Sequence, residues 1–175
     1  MNAEQLEIEL MLDTGRLLDQ RLTEEFVAQG HHLTGAWEQS LHGNVLSTEY
    51  ATILRGEMAS YGIFVQGGVD ADRIPYGGAP TGAGTSKYIQ ALKNYWMLRG
   101  LSEKQALSAA FATAKTHKKE GMPTAGSYAF SSTGERKTFI TITKEKSGQE
   151  IRDKMKSGLN DIVLALFNET KSQTI

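Results

Sequence analysis

Lys137–Lys144 reads KTFITITK, and five of these eight residues are β-branched. Branched side chains lose rotamer freedom against a helical turn and pack well on a pleated surface. The stretch is therefore read as a strand, with a lysine at each end. A strand so late in the chain makes the predicted class α+β. Downstream, Ser147-Gly148-Gln149-Glu150 matches a capping box, which places the start of a last helix at Ser147. The apolar stripe of that helix is Ile151, Met155, Leu159, Ile162, Val163, Leu166 and Phe167. The closing residues KSQTI read as a frayed tail.

Upstream, Gly121 and Pro123 end an alanine-rich helix that Ser102-Glu103-Lys104-Gln105 opens with another capping box. Its buried face is expected to be Ala106, Leu107, Ala110, Phe111 and Ala114. Lys115, Lys118 and Lys119 sit in its last turns, where cations suit the helix dipole. The preceding helix, Tyr88–Leu98, is stopped by Gly100. Between the helical pair and the late strand lies a Gly/Ser/Thr-rich loop, MPTAGSYAFSSTGE.

The N-terminal third adds a long helix from Ala3 to about Gln29. Its stripe is Leu6, Leu10, Leu17, Leu18, Leu22 and Phe26, and Gly30 is its terminator. Asn44–Leu54 (NVLSTEYATIL) reads as one strand. The type of the short apolar element Met58–Val65 is left open. The overall expectation is one α+β domain over residues 1–175: a long N-terminal helix, a small antiparallel sheet, a central helical hairpin and a C-terminal helix, with long glycine-rich loops. Two strands make a poor sheet, so either weaker strands lie in the loops or neighbouring subunits complete it.

Composition narrows the chemistry. The 175 residues carry 19 basic and 20 acidic side chains, a formal net charge of −1, and no cysteine. No overall field draws the chain to nucleic acid or an anionic membrane, and thiolate chemistry is excluded. The N-terminus is acidic where a signal peptide would be basic, and no apolar run approaches the ~20 residues of a membrane helix. A chain folded in a cytoplasm, with no membrane partner, is expected.

The glycine-rich stretch Tyr76–Tyr88, YGGAPTGAGTSKY, raises the question of phosphate binding. A phosphate loop needs G-x-x-x-x-G-K-[S/T] after a buried strand. Here Lys87 follows Thr85-Ser86 where the motif puts the lysine first, and the preceding VDADRIPY is too charged for a buried strand. The plainer reading is a loop whose Thr85 or Ser86 caps the next helix. His31 and His32 are adjacent and the other histidines distant, so no zinc spacing occurs. Asp70 and Asp72 lack the further oxygen ligands of a calcium loop. No serine sits in G-x-S-x-G. No catalytic, cofactor-binding or metal-ligating residue is assigned, and no cofactor is expected. The rival reading is a small cytoplasmic nucleotide- or ligand-binding enzyme that uses the glycine loop. A DNA-binding role lacks the usual basic excess.

Tyr61–Tyr76 (YGIFVQGGVDADRIPY) and Ser86–Ile140 resemble the small tail-completion, or head–tail joining, proteins of tailed bacteriophages. The resemblance rests on the Tyr61–Gly67 segment before a loop, the alanine-rich Leu101–Lys119 helix, and the Gly121-Met122-Pro123-Thr124 turn before a late strand and last helix. It implies an architectural, non-catalytic protein that forms rings of six or twelve copies between portal-side and tail proteins. The implied location is the virion, with assembly in the bacterial cytoplasm. On that reading Asp70, Asp72, Arg73, Tyr76, Thr81 and Thr85 lie in one subunit-contact loop, and Met122, Tyr128 and Phe130 in another. Lys115, Lys118 and Lys119 would face a channel close to packaged DNA.

Overall fold

The computed structural model describes residues 3–77 and 86–173. The class is α+β. In chain order the elements are α1 (Ala3–Ala28), β1 (His42–Ser47), β2 (Thr52–Glu57), α2 (Gly62–Gly67), α3 (Lys87–Leu98), α4 (Glu103–Glu120) and α5 (Phe139–Gln173). They fall into two compact units. The first comprises Met1–Ala28, Thr34–Gly62 and Thr138–Ile175; the second comprises Gln29–Leu33 and Ile63–Lys137. No described helix is long and apolar enough to cross a membrane.

The first unit is built on α1 and α5, which run antiparallel. Successive contacts walk down the pair: Thr14 reaches Met155, Arg21 pairs with Glu150 and Glu25 with Lys146. The Glu25 side chain is buried, so Lys146 supplies the counter-charge it needs there. At one end of the pair the rings of Phe26 and Trp37 stack at 3.9 Å, and Phe139 meets both edge-on at 5.4 and 5.2 Å. All three are buried and form the aromatic core of the unit.

KTFITITK is not a strand. The chain turns at Thr138, whose φ is +58°, and is helical from Phe139 onward. Phe139, Thr143 and Ser147, four residues apart, are the buried positions of this first stretch. Threonine tolerates this site because its hydroxyl donates to the Phe139 carbonyl one turn back, at 2.8 Å. Ser147 is an interior residue of α5 and not its cap.

The predicted strand over 44–54 is instead a hairpin. β1 and β2 pair antiparallel, with His42 opposite Glu57 and Ser47 opposite Thr52. The turn has none of the usual Gly, Asn or Pro signals. Thr48 closes it: its backbone N–H donates to the Ala51 carbonyl, and its hydroxyl accepts from the Ala51 N–H at 3.1 Å. The hairpin lies on α1, with Leu54 against Gly15. Thr52 donates to Glu7 at 3.0 Å.

The second unit centres on the α3–α4 hairpin. Ser86 caps α3, accepting from the Ile89 N–H, and Ser102 with Gln105 forms the capping box of α4. Ala106, Ala110 and Ala114 are fully buried. Ile89 packs with Ala110 and Ala114, and Tyr76, Leu92, Trp96 and Phe111 surround them. The small side chains let α3 approach closely. Trp96 donates to Thr113 at 2.9 Å, and the Tyr88 hydroxyl bonds His117 Nδ1 at 2.6 Å.

Candidate contact surface

Both loops read as contact segments belong to the second unit, and the fold ties them together. Val69 and Met122 form an isolated antiparallel bridge, each N–H donating to the other's carbonyl at 2.8 Å. The crossing requires glycine on both sides. Gly68 and Gly121 have φ of +75° and +80°. A Cβ on Gly68 would lie 2.6 Å from the Met122 oxygen, and one on Gly121 2.6 Å from the Val69 oxygen.

Past the bridge the first loop is ordered by its backbone. Ala71–Arg73 forms a single 3-10 turn, and Ile74 beyond it is buried. Lys118 of α4 donates to the Asp72 and Ile74 carbonyls, both at 3.2 Å. It thus acts as a brace between helix and loop. Lys115 and Lys119 stay exposed at the end of α4. Asp70, Asp72 and Arg73 are exposed, whereas Tyr76 packs on the α3–α4 cluster. Thr81 and Thr85 lie outside the described residues.

The second loop continues from the half-buried Met122 into a 3-10 segment, Ala125–Phe130. Tyr128 is partly and Phe130 largely exposed. A Cβ on Gly30 would fall within 2.6 Å of both the Phe130 carbonyl oxygen and Arg136 Nη1. Arg136 Nη1 donates to the Gln29 carbonyl at 2.6 Å. The second loop therefore closes on the short 29–33 segment that follows α1.

Two sets of polar side chains here had no signal of their own in the sequence. One is the Tyr88–His117 pair. Burial lowers the imidazole pKa, opposed by Glu120, and raises the phenol. The other gathers around Arg136. Burial lowers the His31 pKa to about 4, and the adjacent Arg136 charge acts in the same direction. Arg136 is itself lowered by burial, with the Arg99 charge adding to the effect and Tyr95 and Tyr128 opposing it. Of these contacts only Tyr95 and Arg99, four apart on a helix, are at a spacing legible beforehand. Arg99 sits 4.9 Å above the Tyr95 ring.

Among the described residues no group of three or more His, Cys, Asp or Glu side chains is arranged to hold a metal ion. Comparison of the chain with protein-family models, curated proteins and solved structures gives no match.

Proposed function

We propose that this chain is a structural, non-catalytic subunit of a ring at the head–tail junction of a tailed bacteriophage, joining portal-side proteins to the tail. The observation that carries the reading is the distribution of exposed apolar side chains. Leu46, Tyr50 and Ile53 on the hairpin, Phe64 on α2, Phe130 in the second loop, and Val163, Leu164 and Phe167 on α5 all face outward. So much apolar surface over four elements is characteristic of a subunit whose neighbours cover it. The tailed-phage resemblance of Tyr61–Tyr76 and Ser86–Ile140 supports the same reading. The bridged loops Asp70–Tyr76 and Met122–Phe130 would then meet adjacent subunits, in six or twelve copies. Lys115 and Lys119 are the basic residues free to face a DNA-containing channel, since Lys118 is engaged as a brace.

Light scattering of the purified chain over a concentration series, alone and with portal complexes, tests this. The expected result is a closed oligomer, or a monomer that enters one when a portal complex is added. A stable monomer or dimer that ignores portal complexes overturns it.

A further inference from the structure

The β1–β2 sheet has two strands and therefore two edges. At the turn the Thr48 N–H donates to the Ala51 carbonyl at 2.9 Å. Bonded and non-bonded pairs alternate along an antiparallel ladder. Counting back from the turn, Leu46–Ile53, Asn44–Arg55 and His42–Glu57 are the bonded pairs. The backbone groups of Gly43, Val45 and Ser47 then point outward from β1, and those of Thr52, Leu54 and Gly56 from β2. Among the described residues none of these groups has a hydrogen-bond partner. Edges are usually guarded by proline, lysine or a bulge. HGNVLS and TILRGE contain neither proline nor lysine, and their pairing runs unbroken.

The side chains of the two strands are complementary as well. One face of the hairpin lies on α1, with Leu54 against Gly15. The other presents Leu46 and Ile53, directly opposite one another and each 50% exposed. On the same face Asn44 stands opposite Arg55, and His42 meets Glu57 at 3.2 Å. The strands thus match in an apolar pair, a polar pair and an acid–imidazole pair, with no like charges opposed. The outward backbone groups of Gly43, Val45 and Ser47 stand level with those of Gly56, Leu54 and Thr52. A further β2 laid along the β1 edge in the register of the hairpin would meet every free backbone group and the same three side-chain partners.

We propose that β1 of one copy pairs antiparallel with β2 of the next, Leu46 opposite Ile53, so that one sheet runs continuously from subunit to subunit. The occupant is a second copy of this chain because its own β2 already fits β1 in this register, and because head-to-tail pairing covers both edges of every hairpin. A two-fold pairing of β1 on β1, or of β2 on β2, leaves one edge of each hairpin open. Unlike edges meet, so the contact closes into a ring or runs on as a filament. This inference rests on the ring reading and names the contact that would build it.

The chain has no cysteine, so engineered ones report the contact directly. Full-length Leu46→Cys and Ile53→Cys proteins are oxidised mildly, each alone and mixed. The paired strands would hold these two positions about 4.5 Å apart between Cα atoms, within reach of a disulfide. The mixture is expected to give a disulfide-linked pair and neither protein alone to do so. A second readout is oligomer mass by light scattering. Gly56→Pro removes an outward N–H and spares the bonds within the hairpin, and it is expected to weaken association about tenfold or more. Gly56→Ala places its Cβ in open space and should leave association unchanged. An oligomer that gives no linked pair and ignores Gly56→Pro overturns this contact while leaving the ring standing. Linkage within Leu46→Cys alone means that β1 pairs with itself, which also overturns it. A chain that never associates, alone or with portal complexes, overturns both readings.

Discussion

Burial and a neighbouring cation act on the His31 imidazole in the same direction. Desolvation disfavours the charged ring, and Arg136 beside it opposes a second positive charge. The folded pKa, about 4, lies below the ordinary value of 6.5. The neutral ring is thus favoured by folding, and this contribution is complete above about pH 6.5. It is lost as the pH falls from there toward 4, because the unfolded chain takes up the proton first. Half-exposure reduces the effect to about 1–2 kcal/mol. An NMR titration of the imidazole is expected to show His31 still neutral at pH 5.5. Titration near 6.5 would mean that the ring is open to solvent and that the second loop does not close over it.

Helix α5 contains two glycines whose replacement has opposite expected signs. At Gly148 a Cβ meets nothing nearer than Arg152 Nη1 at 3.5 Å. Gly148→Ala should therefore stabilise by up to about 1 kcal/mol through backbone entropy alone. At Gly158 the same Cβ would fall at or within 3.0 Å of Leu10 Cγ, Cδ1 and Cδ2. That forces the whole isobutyl head to move, and a loss of about 1–3 kcal/mol is expected. Urea denaturation of the two variants decides it, and a gain at Gly158 would mean that α1 and α5 are not in close contact there. The start of the same helix was the least legible element in the sequence. KTFITITK has the composition of a strand, but a hydroxyl that can bond one turn back makes buried threonine compatible with a helix, and Phe139, Thr143 and Ser147 recur at helical spacing. The hairpin was hidden for a related reason: a threonine side chain closes its turn where a glycine would announce one. By contrast α3 and α4 were readable because their caps and stripes are local, and α1 because its stripe is. Of the candidate contact surface, the two loops were singled out by their glycine-rich composition. Nothing local hinted at the Val69–Met122 bridge or at Arg136 on Gln29, since contacts between distant segments leave no periodic trace.

The division of the molecule makes a prediction that no single element could. The first unit is assembled from three separate stretches of chain, and its aromatic centre draws one ring from each: Phe26, Trp37 and Phe139. The second has its own centre of Ile89, Ala110 and Ala114. Removing the fully buried Phe139 ring should cost the first unit about 3–5 kcal/mol. If the units open separately, that cost stays local. In Phe139→Ala, amide exchange in α1, β1, β2 and the first half of α5 is then expected to accelerate on the order of a hundredfold or more. Exchange in α4, protected by its buried alanines, should change little. Mass-spectrometric hydrogen exchange resolves these segments in one experiment. Equal acceleration in α4 would mean that the chain unfolds as a single cooperative body. Local acceleration would mean that the first unit opens without loosening the α3–α4 scaffold of the second, so that each unit holds its fold through its own core.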